Sequence, residues 1–94
     1  MKASRTTFRV HAIRRMFRRG ITTAEVRTVI ERGEVIEDYP TDTPYPSQLI
    51  LGWSGRRAIH VGAACNAKDD EAIIITAYEP DPKEWEADFK RRKS

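Results

Sequence analysis

Two histidines are the side chains of this chain best suited to acid–base chemistry, and both have arginines near them in the sequence. His11 lies among the N-terminal arginines, and Arg56 and Arg57 shortly precede His60. A histidine with an unperturbed pKa of about 6.5 can accept and donate protons near neutral pH. RNA cleavage needs a base for the 2′-hydroxyl, an acid for the leaving 5′-oxygen and positive charge for the phosphorane. These residue types point to metal-free cleavage of RNA, because RNA carries its own nucleophile.

The motifs of most other catalytic chemistries are missing from the sequence. It has no phosphate-binding glycine loop, no glycine-flanked nucleophilic serine and no His/Asp/Glu cluster with metal-ligand spacing. We therefore expect no cofactor and no metal site, which disfavours a metal-dependent nuclease. The single cysteine, Cys65, excludes an internal disulfide. Without a signal peptide or an apolar run of membrane-spanning length, the sequence predicts a soluble cytoplasmic protein that has no membrane partner.

The positive charge is concentrated at the two ends of the chain. Seven Lys or Arg residues precede the first acid, Glu25, and the chain ends in Lys-Arg-Arg-Lys-Ser. If the two ends lie side by side, they form one basic face that attracts polyanions. The alternative interpretation is that the terminal cations only keep the protein soluble.

The elements that must position these residues follow from hydrophobic periodicity and from helix-end signals. We expect helices over about 7–18 and 23–32, separated by Gly20 as a left-handed helix end and by a capping box from Thr22 to Glu25. Alternating apolar residues predict strands over about 34–38, 47–53, 57–65 and 72–79, and a short C-terminal helix begins near Pro82. The predicted fold is α+β, with two N-terminal helices, a four-stranded antiparallel meander and a short C-terminal helix. It forms one domain over residues 1–94, with an ordered core over about 7–90 and a basic tail over 90–94.

The first predicted helix is amphipathic. His11, Arg14, Arg15 and Arg18 follow the i, i+3, i+4, i+7 spacing and form one basic stripe. The other side carries the apolar residues of the segment and is expected to face the core; they are Phe8, Val10, Ala12, Ile13, Met16 and Phe17. The basic stripe either binds phosphates or is only a solvated helix face.

The third and fourth predicted strands could gather a polar site. His60 shares one strand face with small residues, and larger apolar side chains occupy the other face. If these two strands pair so that their polar sides coincide, His60, Thr76 and Tyr78 meet on a shallow surface open to a ligand. Arg56 and Arg57, at the start of the third strand, would supply cations. A lone strand histidine is more often structural than catalytic, and Tyr78 is equally compatible with a half-buried sheet position.

Several short motifs resemble those of a known family. They are His11-Ala12, Arg15-Met16, Arg19-Gly20-Ile21-Thr22, Val35-Ile36-Glu37, Tyr39-Pro40, Pro46-Ser47 with Leu49, Arg57 with His60, and Ile74, Thr76, Tyr78 and Pro80-Asp81 with Trp85. With these residues the chain resembles, over residues 8–85, a family of small bacterial domains of unknown function with an H-A-x-x-R-M-x-x-R-G-I signature. That family is similar to RelE-like and BrnT-like toxins, which are small α+β ribonucleases without a metal. The resemblance implies a helices-then-sheet fold and RNA cleavage restrained by an antitoxin.

The leading hypothesis is a metal-independent endoribonuclease of toxin–antitoxin type. His60 and His11 would exchange protons, and Tyr78 would orient the scissile phosphate. The phosphate would be held by Arg15 and Arg57, and the RNA-binding set would be completed by Arg14, Arg18 and Arg56. The expected partners are RNA, free or ribosome-bound, and an antitoxin protein. Two alternatives stay open because a phosphate clamp needs the same residues: a non-catalytic nucleic-acid-binding module, and a degenerate toxin-like domain that binds only a protein partner.

Overall fold

A computed structural model describes residues 1–94, which form two helices and five strands. In chain order the elements are β1 (Arg5–Phe8), α1 (Val10–Arg19), α2 (Thr23–Arg32), β2 (Glu34–Tyr39), β3 (Ser47–Ser54), β4 (Arg57–Asn66) and β5 (Glu71–Tyr78). One 3-10 turn, Ala67–Asp69, joins β4 to β5. The two predicted helices and the four predicted strands all have a counterpart, and β1 is an additional strand.

Local sequence accounts for the helix ends. Gly20 ends α1 in the left-handed conformation, with a φ of 66°, and its amide hydrogen-bonds back to the last turn. The predicted capping box is present: the Thr22 hydroxyl accepts from the Glu25 amide, and the Glu25 carboxylate accepts from the Thr22 amide. The first helix begins at Val10 instead of near residue 7 because residues 5–8 belong to the sheet. Neither helix has the length and apolarity needed to cross a bilayer.

The sheet corrects the predicted four-stranded antiparallel meander. It has five strands in the order β1-β5-β4-β3-β2 and is mixed, because β1 pairs with β5 in parallel. The strands β2 to β5 are antiparallel neighbours, as a meander requires. The missed strand, Arg-Thr-Thr-Phe, is too short to show a period of two. Its hydrogen-bonding partner lies far along the chain, where only the tertiary fold brings it close.

The predicted C-terminal helix is also wrong. Residues 79–94 form turns, and a bridge joins Trp85 to Arg92 across a reversal of the chain. Phe89 lies in this reversal with a φ of 57°, which no helix allows. Trp85 and Phe89 are four residues apart, as on one face of a helix, but here the reversal of the chain places both side chains against the sheet. We refer to residues 79–94 as the C-terminal segment.

The main core lies between the two helices and one face of the sheet. Its buried apolar residues are Ala12, Met16, Ile21, Val26, Val29, Ile30, Ile50, Ile59, Val61, Ala63, Ile74 and Ala77. A side chain at Gly52 of β3 would place its Cβ 2.6 Å from a methyl carbon of Val29, so this glycine lets α2 approach the sheet closely. The opposite face of the sheet is partly covered by the C-terminal segment, in which Trp85 is buried. The fold is therefore α+β, with the helices on one side and an irregular segment on the other.

Candidate functional site

His60 lies in the middle of β4, on the sheet face opposite the helices. Its neighbours Ile59 and Val61 belong to the helix-side core, and side chains alternate along a strand. The strand register pairs His60 with Tyr78 of β5 on one side and with Leu51 of β3 on the other. His60 and Tyr78 therefore meet, as expected if the polar sides of these two strands coincide. The surface over His60 is not open, however, because the histidine is 0% exposed.

The hydrogen bonds of His60 indicate which ring nitrogen carries the proton. A backbone carbonyl can only accept, so the contact of 2.8 Å between Nε2 and the Phe89 carbonyl oxygen requires Nε2 to carry the proton. The neutral ring then accepts at Nδ1 from the Tyr78 hydroxyl, 3.2 Å away. Burial lowers the pKa of His60 below its ordinary value, which reinforces the neutral form. Trp85 packs edge-on against the imidazole, with ring centroids 4.4 Å apart. His60 thus anchors the C-terminal segment to the sheet.

Tyr78 is the outward end of this pair. It contacts His60 on one side and is half-buried, and burial raises the pKa of its hydroxyl. It also lines an open cavity of about 240 Å³ on the same sheet face, together with Thr76. The register pairs Thr76 with Gly62, the next residue along this face of β4 after His60. A small polar ligand could reach Tyr78 and Thr76 from this cavity, whereas it could not reach the imidazole.

The same cavity contains a charged group from the C-terminal segment. Arg92 lies 3.5 Å from the Glu37 carboxylate, and its guanidinium carbon lies 4.6 Å from the centre of the Trp85 ring. The Tyr39 hydroxyl donates to Glu37, and this hydrogen bond raises the pKa of Tyr39. Arg92 is therefore held between an aromatic face and a carboxylate at the rim of the cavity.

Sequence reasoning missed four residues of this site: Glu37, Trp85, Phe89 and Arg92. Trp85 and Phe89 lie in the segment predicted as the short C-terminal helix. Arg92 lies in the predicted basic tail, and Glu37 belongs to a motif of the family resemblance to which no role was assigned. These residues meet His60 and Tyr78 through chain reversal and long-range pairing, for which the sequence has no local mark.

The predicted arginines of the β3–β4 turn have a different environment. Arg57 lies 2.7 Å from the Glu25 carboxylate and 3.4 Å from that of Glu79, and the hydrogen bond to Glu25 raises the pKa of Arg57. By strand alternation its side chain points to the helix side, away from His60. It therefore links β4 to α2 and to the end of β5, while Arg56 is exposed in the turn.

The predicted residues of α1 lie together but far from His60 in the fold. His11, Arg14, Arg15 and Arg18 are all exposed along the helix, and we call them the α1 basic stripe. Helix α1 packs against β5 through Ala12 and Met16, on the side of the sheet opposite His60. The structure thus brings together His60 with Tyr78, and separately the members of the α1 basic stripe. It does not bring together the two histidines.

The charges of the α1 basic stripe are not compensated within the chain. The five ion pairs of the molecule use Arg57, Lys90, Arg91 and Arg92 as their cations. No Lys or Arg among the first 32 residues takes part in one. Arg19 instead donates to the Ala77 carbonyl oxygen at 2.8 Å, which fixes the end of α1 to β5. Residues 1–24, which contain no acid, therefore present free positive charge.

The apolar side of α1 also differs from its expected position. Only Ala12 and Met16 are buried, whereas Val10, Ile13 and Phe17 are exposed. A helix that packs by one line of residues on a sheet leaves positions roughly 100° away uncovered. We call these three exposed residues the α1 apolar strip; it lies directly beside the α1 basic stripe.

Comparison with known proteins identifies a family but no characterised relative. The sequence profile of a domain of unknown function, DUF4258, matches residues 8–79. No curated protein and no solved structure matches the chain. The matched range runs from the last residue of β1 to just beyond β5, so it includes His60, Tyr78 and the α1 basic stripe. It leaves out Trp85, which covers His60. The resemblance to RelE-like and BrnT-like toxins stays a prediction.

Proposed function

The chain belongs to the DUF4258 family of domains of unknown function, and we propose that it binds RNA through the α1 basic stripe. The observation that carries this proposal is the uncompensated charge of α1. Arg14, Arg15 and Arg18 are exposed, none is in an ion pair, and no acid precedes Glu25. Exposed helix arginines without interspersed glutamates are typical of a surface that a polyanion neutralises.

The geometry of the stripe suits a phosphate backbone. Arg14 and Arg18 are one helical turn apart, with Cβ atoms about 5–6 Å from each other, and Arg15 lies between them along the helix. Because these side chains make no competing intramolecular bonds, RNA binding only has to displace counterions from them. The predicted similarity of this family to RelE-like toxin ribonucleases favours RNA over DNA as the polyanion.

Metal-independent RNA cleavage of toxin type is a second candidate function, supported by the pairing of Tyr78 with His60. Tyr78 lines the open cavity and its hydroxyl donates to Nδ1 of His60, so a proton could pass between a substrate and the buried imidazole through Tyr78. Arg92 at the cavity rim could hold a phosphate. In this arrangement His11 takes no part, because it lies on the other side of the sheet.

Salt-dependent binding tests the first candidate. We expect the slope of log affinity against log salt for a short single-stranded RNA to fall by about one when Arg15 is replaced by alanine, since one phosphate contact is lost. Arg91→Ala is the matched control: Arg91 is exposed, but it lies in the C-terminal segment and near Asp88. The slope of this control should equal that of the wild-type protein.

Two results would overturn RNA binding by α1. One is a wild-type affinity that does not change with salt, and the other is an equal slope for Arg15→Ala and Arg91→Ala. Because Arg15 is exposed, loss of folding does not complicate the comparison.

Product analysis tests the second candidate. In excess chelator, we expect wild-type protein to cleave RNA to ends with a 2′,3′-cyclic phosphate and to leave DNA intact. Tyr78→Phe should lower the rate by roughly 10²–10⁴-fold, because a positioned acid–base group is removed. Tyr39→Phe is the matched control, since Tyr39 lines the same cavity without contacting His60. If RNA is bound but stays uncut, with and without ribosomes, the protein is a binding module alone.

A further inference from the structure

The α1 apolar strip is an unusual surface for a small domain. Val10 is 64% exposed, Ile13 is 41% exposed and Phe17 is 87% exposed. Single exposed apolar residues are ordinary, but three on one face of one helix are typical of an interaction surface. The core therefore leaves much of their apolar surface uncovered, where a partner could bury it.

The strip and its neighbouring arginines form one continuous face. At about 100° per residue, Ile13, Phe17 and Val10 fall within an arc of roughly 60°. Arg14 follows about 40° further around the helix and Arg18 about 40° beyond it, whereas Arg15 points roughly 160° away from Phe17. A ligand that covers the apolar strip would therefore meet Arg14 and Arg18 but would not meet Arg15.

We propose that the α1 apolar strip, with Arg14 and Arg18, docks an acidic amphipathic helix of a partner protein. The strip follows i, i+3, i+7 spacing, which matches the apolar line of a second helix packed along it. Glutamates or aspartates beside that line would pair with the two arginines, whose charges nothing in the chain compensates. The partner would compete with RNA for Arg14 and Arg18, and this regulatory consequence rests on the proposed function.

Charge and chemistry favour an acidic helix over RNA, a second copy of the chain or a membrane surface as the occupant of the strip. RNA has no aliphatic surface to bury Val10 and Ile13. A second copy of the chain would bring two α1 helices together, and its arginines would repel because residues 1–24 contain no acid. A membrane surface would be met by three apolar side chains of a ten-residue helix whose other side is packed on β5. Such short contact falls well below the long apolar faces of membrane-surface helices.

The test uses a designed probe. It is a fluorescent peptide of about 18 residues, long enough to form a helix, with leucines along one face and glutamates on both sides of them. A control peptide has the same composition with the leucines distributed around the helix. We expect only the first peptide to bind, as measured by fluorescence anisotropy. Phe17→Ala should weaken its binding by about 30-fold, as expected for a central aromatic anchor.

Protein variants separate docking from RNA binding. Phe17→Ala should weaken the peptide complex and leave the RNA salt slope unchanged, Arg15→Ala should affect RNA alone, and Arg14→Ala should weaken both. Val35→Ala is the matched control, since Val35 is 40% exposed on β2 and away from α1. It should change neither. In the wild-type protein, the peptide should displace bound RNA.

The outcomes distinguish this inference from the proposed function. If RNA binds but the peptide does not, or if both peptides bind equally, docking is overturned and RNA binding stands. If the peptide binds and RNA does not, RNA binding by α1 is overturned and docking stands. Docking is also overturned if the wild-type protein sediments as a dimer that Phe17→Ala abolishes. It is overturned as well if vesicles containing phosphatidylserine bind the wild-type protein but not Phe17→Ala, while the peptide does not bind. Phe17 is too exposed for its loss to unfold the chain, which thermal unfolding verifies.

Discussion

At the scale of single residues, the protonation of His60 couples the sheet to the C-terminal segment. The imidazole is neutral and buried, because protonation would put a charge between Trp85 and the sheet and would require Nδ1 to donate to Tyr78. Its pKa in the folded protein is therefore lowered, while the unfolded chain keeps a value near 6.5. Below that pH the unfolded chain binds more protons than the folded protein, so the free energy of unfolding falls as the pH falls.

We expect the urea midpoint to decrease as the pH is lowered from about 7.5 to about 5.5, and His60→Gln to lose this dependence. His11→Gln, a change at an exposed ring, is the control and should keep it. A wild-type midpoint that stays constant over this range would contradict the buried neutral histidine.

Glu25 does not interfere with that experiment. The Ser54 hydroxyl, the Thr22 amide and Arg57 hold the pKa of Glu25 at about 2, below its ordinary value of 4.5. The stability that this carboxylate contributes is therefore present above about pH 4.5 and is lost as the pH falls toward about 2. The two titrations occupy separate ranges of pH, so a loss of stability above pH 5 is not caused by Glu25.

At the scale of elements, the C-terminal segment is part of the fold although it contains no helix or long strand. Trp85 is 2% exposed and contacts both His60 and Arg92. We expect Trp85→Ala to lower the free energy of unfolding by about 3–5 kcal/mol, the usual cost of removing a buried aromatic side chain. Urea denaturation followed by circular dichroism measures this loss.

Trp53 provides the control for that prediction. It is 50% exposed at the end of β3 and packs edge-on against Phe89, so Trp53→Ala should cost markedly less. If the two variants lose equal stability, or if Trp85→Ala loses none, the segment does not fold cooperatively with the sheet. Its cover over His60 would then be weak.

At the scale of the whole molecule, the two basic ends of the chain are placed apart. Strand order puts β1 at one edge of the sheet and β2 at the other. Lys90 and Arg92 pair with carboxylates of β2, so much of the C-terminal charge is neutralised there. The single basic face that adjacent ends would have formed is absent, and most of the cations outside ion pairs belong to the N-terminal region. This separation is why a variant in the C-terminal segment serves as the control for RNA binding by α1.

Signals between neighbouring residues were enough to predict much of this protein. Gly20 and the Thr22–Glu25 capping box marked the helix ends, and alternation marked β2 to β5, because these patterns depend on the conformation of a few consecutive residues. The sharing of one strand face by His60 and its small neighbours followed from the same alternation. The contact of His60 with Tyr78 could be stated only as a condition, since it depends on strand register.

Tertiary structure alone decided the rest. The pairing of β1 with β5, the reversal around Phe89 and the cover of His60 by Trp85 all join residues far apart in sequence. Such contacts form only when their burial and hydrogen bonds outweigh the entropy lost in closing long loops, which no local pattern records. The same cause exposes Phe17 and separates His11 from His60: an amphipathic sequence shows that a helix has two sides, whereas packing against β5 decides which side is buried.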